Sequence, residues 1–246
     1  HTGKTMYQKY HVLAFAALSL LIALHANAQS TGQGTDDLLY TYTSFTIADA
    51  NDSSTAVIAA SISNLADSLN GSIYALWSPT TLAEDAPFKG LTKNRYIAML
   101  SFTSDVLISS KLVDSLLEEE TLIAESSTKL YSSIDLRVRE SLSTQDGFYV
   151  HRDEHYRVEH MEAAVSLSQR AWATWEDYWQ VKVVGLFREI DEDADIAKLN
   201  RIVWYPSYEH WQATRNNTDT QSRDRFRERR QLLIDGSGVA VATNRF

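Results

Sequence analysis

Apolar positions from residue 38 onward follow two periods in turn, one near 2 and one near 3.6, and so predict alternating strands and helices. Leu38 to Ile47 carries Tyr40, Tyr42, Phe45 and Ile47 and predicts a strand. A turn rich in Asp, Asn and Ser follows over 49–54. Ile58, Ile62, Leu65 and Leu69 then line one face of a helix over 55–69, closed by Asn70-Gly71. Ser72 to Ser78 is a short strand, and 79–92 is a loop with two prolines and Gly90. Arg95 to Thr103 is a strong strand. The spacing of Leu112, Leu116, Leu122 or Ile123, and Leu130 predicts a helical stretch over 105–131. Over 133–139, Ile134, Leu136 and Val138 alternate with Asp135, Arg137 and Arg139, a half-buried strand.

The same order then returns. Phe148 and Val150 mark a strand over 147–152. A long helix over 158–179 carries Met161, Val165, Trp172, Trp175 and Trp179 on one stripe, best read as a seam packed on a sheet. A strand over 181–190, an acidic turn over 191–195 and a strand over 199–205 follow. Ser207 is the expected N-cap of a helix holding Tyr208 and Trp211, broken near 216–220 and resumed over 223–233. Gly236-Ser237-Gly238 predicts a turn into a last strand, 239–243.

Each half thus reads β-α-β-β-α-β, the order of a ferredoxin-like unit with an antiparallel sheet and both helices on one face. The free sheet face needs a cover. The predicted fold is α+β, with two ferredoxin-like repeats, 38–140 and 147–246, packed sheet-to-sheet as an intramolecular dimeric α/β barrel with the helices outside. Residues 141–147 are the most linker-like stretch between them.

The first residues read differently. From Met6 they follow a secretory signal: Lys9, an apolar run from Val12 to Leu24, and Ala26-Asn27-Ala28 as a small-x-small cleavage site. The run is too short for a comfortable membrane span. Residues 1–28 are therefore expected to be removed after Ala28, with 29–37 a small, polar lead-in. The expected location is periplasmic or extracellular, with no transmembrane segment after cleavage. Such cleavage leaves 21 basic and 32 acidic residues, a net charge of −11. That charge argues against nucleic acid as a partner. The absence of Cys excludes disulfides, thiolate metal sites and cysteine nucleophiles.

The unit at 147–246 resembles the dimeric α+β barrel superfamily, and within it NIPSNAP-type domains. The resemblance rests on Phe148-Tyr149-Val150-His151-Arg152, on the strand Asn200-Arg201-Ile202-Val203-Trp204-Tyr205, and on Ser207-Tyr208-Glu209-His210-Trp211-Gln212-Ala213-Thr214-Arg215. Pro206 and a strand-to-helix join about three residues shorter depart from the family pattern. The resemblance implies a small-molecule or protein partner and a pseudo-dimeric monomer or a homodimer. Relatives include cofactor-independent monooxygenases and haem proteins, so the fold leaves the reaction open.

Candidate chemistry is sparse. His151, His155, His160 and His210 are the histidines beyond the signal. His151, Asp153 and His155 share a strand face, but no ligand-type spacing marks a metal site, and none is expected. No cofactor is expected either; a haem on one of these histidines is the minor reading. No hydrolase motif is present, so a catalytic centre is not assigned. The leading site is the interior of the second repeat, with Tyr149, His151, Arg188, Asn200 and Trp204 as ligand-binding candidates. Which strand parity faces inward is left open. The expected function is binding of a small apolar or aromatic ligand, or of a protein partner, through the barrel. The alternative is a monooxygenase-type or haem-dependent enzyme. The run Arg223, Arg225, Arg227, Arg229, Arg230 is expected to be a solvated helix face.

Overall fold

A computed structural model describes residues 38–243, apart from 49–53, 81, 83, 85, 87–88, 104–107, 119–122, 139–141, 143–145 and 191–194. The signal and the lead-in lie outside the described residues.

The first repeat consists of β1 (Leu38–Ile47), α1 (Ser54–Ser68), β2 (Ser72–Ser78), the two-residue β3 (Lys89–Gly90), β4 (Arg95–Thr103), α2 (Ser110–Glu118) and β5 (Ile123–Leu136). The second consists of β6 (Phe148–Arg157), α3 (Val158–Trp179), β7 (Lys182–Glu189), β8 (Ile196–Tyr205), α4 (Tyr208–Thr214), α5 (Thr220–Leu232) and β9 (Leu233–Thr243). Within the repeats the strands run β2-β4-β1-β5 and β7-β8-β6-β9, the same ferredoxin-like order twice. β5 pairs with β7, and β2 pairs with β9, so the two sheets join into one closed ring. Closure leaves neither half with a free sheet edge at these joints.

Alternation along each strand then sorts side chains into three cores. Phe45, Leu76, Ala98 and Leu100 face α1 and α2. Val150, Val183, Leu199 and Val203 face α3 to α5. Tyr40, Trp77, Met99, Tyr149, Phe187 and Ile202 fill the barrel interior. The tryptophan stripe of α3 is core, as expected: Trp172 and Trp175 are buried.

Three predicted elements need correction. The helix expected over 105–131 ends at Glu118, and β5 begins at Ile123. Leucines at helical spacing there sit on two different elements. The polar pattern decides the matter, because Thr128 is buried and hydrogen-bonded to Thr43 and to Asp114 of α2, a contact between a strand and the helix above it. A bulge near Ile134 also breaks the expected alternation, so Ile134 packs under α3 while Leu136 and Val138 enter the barrel. The turn expected at Gly236–Gly238 is instead part of β9, which starts at Leu233 and runs straight past β6.

Gly147 starts the second repeat at φ +154°, and a Cβ there would lie 1.9 Å from Trp204 Nε1. The indole donates to the Asp146 carbonyl at 2.8 Å, so it cannot swing away without losing that bond. Gly147→Ala is therefore expected to cost about 2 kcal/mol or more in a urea unfolding titration. Gly238→Ala, where the nearest atom is 3.6 Å away, is expected to be close to neutral.

Candidate functional site

β6 and β8 pair with Tyr149 opposite Trp204, His151 opposite Ile202 and Asp153 opposite Asn200. These residues face the barrel interior. Four of the five sequence candidates, Tyr149, His151, Asn200 and Trp204, therefore share that face. Arg188 does not: it pairs with Leu199, which belongs to the helix-covered face.

The interior is densely aromatic. Trp77 meets Tyr149 and His151 edge-on, and Tyr40 meets Tyr74 and Phe187 in the same way. His151 is fully buried, and its Nδ1 lies 2.8 Å from the Tyr42 hydroxyl. Burial pushes the imidazole pKa down to about 3, so His151 is neutral at physiological pH. Asn200 donates to Asp153 at 2.7 Å, and His155 lies 2.6 Å from Asp235. His151, Asp153 and His155 thus each take a different partner. Among the described residues no three potential metal ligands converge.

The opposite face of the same two strands is built differently. Arg152, Glu154 and Tyr156 of β6 and Arg201, Val203 and Tyr205 of β8 floor a cavity of about 560 Å³ beneath α3, α4 and α5. Trp175 of α3, Trp211 of α4 and Phe226 of α5 also line it. The helical corner between α4 and α5 is tied down. Asp219 caps α5 by accepting from Gln221 and Ser222, and it also accepts from Thr174 of α3 at 2.6 Å. Asn217 accepts from the Trp179 indole at 2.9 Å. At the other side, Ser207 caps α4 by accepting from the His210 amide, as the sequence predicts.

Charge distinguishes this cavity. Glu154 Oε1 accepts from Arg201 at 2.8 Å and from Arg229 at 3.2 Å, and Oε2 accepts from the Tyr156 hydroxyl at 3.0 Å. Burial pushes the Glu154 pKa up, but Arg201, Arg229 and Tyr156 outweigh it and hold the carboxyl below its ordinary range. Arg229 is pushed down to about 10 by burial and by repulsion from Arg201, and stays a cation at neutral pH. Arg152 is shifted downward for the same two reasons. The arginine run of α5 is thus not simply a solvated face. Arg223 and Arg227 pair with Asp224 at the surface, while Arg229 turns inward to Glu154 and Ser168.

Sequence reasoning missed this site because it left the parity of β6 and β8 open. The available signal was Arg152-x-Glu154 and Arg201-x-Val203 at the strand period, facing one another across the pairing.

A histidine-ligated haem does not fit here. No histidine lines the cavity among the described residues. His151 lies on the far side of the sheet, and His210 is bonded through Nε2 to the Trp179 carbonyl. The carboxylate that lines it, Glu154, is already bonded to Arg201, Arg229 and Tyr156.

No protein-family model matches the chain. No curated protein matches it in sequence. Solved structures match its fold. One is an anthrone oxidase-like protein, 8% identical, covering 85% of this chain and 92% of that one, with a TM-score of 0.56. Another is a chlorite dismutase from Candidatus Nitrospira defluvii, carrying the substitution R173A, 10% identical, 85% and 92% covered, with a TM-score of 0.54. A third is a putative monooxygenase from Lactobacillus acidophilus NCFM, 8% identical, 84% and 94% covered, with a TM-score of 0.51. At such identities the likeness is one of fold: this is a ferredoxin-like α+β barrel.

Two outcomes follow from the buried groups. His151 stays neutral in the folded barrel but takes a proton near pH 6.5 once unfolded, so stability is full above pH 6.5 and falls on acidification. At pH 5 this one group is expected to cost about 2 kcal/mol relative to pH 7, and His151→Asn should remove that part of the pH dependence in paired urea titrations. Glu154→Gln leaves Arg201 and Arg229 buried without their counter-charge, and is expected to cost about 3 kcal/mol in the same assay at pH 7.

Proposed function

We propose that this is an exported, NIPSNAP-like barrel protein that binds a small organic molecule between the sheet and the helices of its second repeat. The single observation that carries the reading is the 560 Å³ cavity under α3 to α5, walled by Trp175, Trp211 and Phe226. An aromatic-walled cleft with a few fixed polar groups is the usual form of a small-molecule site. The barrel interior offers less, since Tyr149, His151 and their neighbours already pack on Trp77 and on each other. Export is supported by the Lys9, Val12–Leu24 and Ala26-Asn27-Ala28 pattern, and the NIPSNAP likeness by the β8 strand running through Trp204 into the Ser207 cap.

Binding without catalysis is the better reading of the cavity. Glu154, the one carboxylate lining it among the described residues, is held ionised between two arginines, and the guanidinium groups are poor proton carriers. A native mass spectrum of the protein purified from exporting cells tests the proposal. The expected result is a polypeptide that begins at Gln29 and carries, in the native but not the denatured state, the mass of a small organic compound. An intact residue 1–28 segment would overturn export. A bare native mass, together with no change in tryptophan fluorescence across a panel of aromatic compounds, would overturn ligand binding.

A further inference from the structure

Resting on the cavity reading above, we infer that its ligand is a dianion, an aromatic or apolar body bearing two adjacent acid groups that sit between Arg152 and Arg201. The argument is one of unbalanced buried charge. Arg152 and Arg201 lie directly opposite one another on β6 and β8, on the cavity face. Like charges placed so destabilise a sheet unless something lies between them. The cavity floor holds Arg152 and Arg201, and Arg229 reaches it from α5, but Glu154 is the one carboxylate that lines the cavity among the described residues. Three guanidinium groups against one carboxylate leave two positive charges uncompensated.

The hydrogen bonds point the same way. Glu154 accepts from Arg201, Arg229 and Tyr156, and it meets Arg152 through charge attraction alone, with no hydrogen bond between them among the described residues. The Arg201 side chain is about nine-tenths buried, and its Nε–H has no partner. A buried guanidinium donor left open costs free energy, and an acidic oxygen satisfies it with a charge-assisted bond. The planar fork of a guanidinium suits a carboxylate or phosphate edge-on. Trp175, Trp211 and Phe226 then face the rest of the ligand. Arg223, Arg227 and Arg230 line the same cavity. In a chain of net charge −9 they give an anion a locally favourable way in.

The test uses three naphthalenes that differ in acid groups alone: 2-naphthol, 2-naphthoate and naphthalene-2,3-dicarboxylate. Each is titrated against the full mature protein at low salt, by calorimetry and tryptophan quenching. Affinity is expected to rise roughly tenfold with the first carboxylate and roughly tenfold again with the second, and the gain should shrink as salt is added. Arg152→Gln is expected to erase the second gain, so that 2-naphthoate and naphthalene-2,3-dicarboxylate bind with equal affinity. It should also raise the unfolding temperature of the empty protein, because it removes a half-buried cation that faces Arg201; that readout shows the variant is folded. Equal affinity of all three compounds, or a dicarboxylate preference that survives Arg152→Gln, would overturn the dianion inference and leave the cavity reading standing. No binding by any of the three would overturn both.

Discussion

Closure of the sheet is the constraint on which everything else depends. A ferredoxin-like unit covers one face of its sheet with helices and leaves the other bare. Here the pairing of β5 with β7 and of β2 with β9 turns two such units into one ring, so each bare face covers the other. Strands β4, β6 and β8 are then buried on both sides over most of their length, and adjacent residues on them go to different surroundings. Tyr149 enters a neutral aromatic interior, while Val150 goes under the helices. Placing one residue out of register would exchange these two environments along the whole strand.

The two faces differ in the charge they tolerate. The interior is aromatic and apolar, and its histidine is held neutral by burial. Polar groups there are only partly matched: Tyr42 bonds His151 and Asn200 bonds Asp153, while Trp77 Nε1, His151 Nε2 and Asn200 Oδ1 are buried without a hydrogen-bond partner. The outer face of β6 and β8 carries arginines and a glutamate that no closed core would accept. They are tolerated because the layer above them is an arrangement of two short helices over a cavity and not a sealed lid. The Glu154 network offsets part of the cost of placing Arg201 and Arg229 there through hydrogen bonds, and that of Arg152 through charge attraction alone.

Element order was legible from hydrophobic periodicity, and it was enough to identify two repeats and their closure. It failed where period and composition disagreed. In 105–131 the leucines kept helical spacing across two elements, while Ser126, Ser127 and Thr128 belonged to a strand whose polar face meets Asp114. Around Gly236 and Gly238 the glycines mark a strand running close beside β6 and not a turn. The site was half legible. Tyr149, His151, Asn200 and Trp204 do share a face, but alternation alone cannot tell which face is the barrel when both are rich in aromatics. Arg188 shows the cost: the bulge between Val183 and Gly185 shifts the register of β7 and leaves Arg188 beside Leu199, on the other side of the sheet.

Comparison of the two repeats shows how the cavity arises. In the first, α1 and α2 lie on an apolar face, where Phe45, Leu76, Leu100 and Val113 form a continuous core. Its main buried polar cluster, Thr43 with Thr128 and Asp114, is satisfied internally. In the second, the element equivalent to α2 is split at Asn217 and Asp219, and both residues are bonded back to α3. The split holds α4 and α5 apart over β6 and β8, and the space between them is the cavity. One fold unit thus serves as a closed half and the other as an open one. The difference lies in a fastened corner and a few strand arginines, and not in the fold the two halves share.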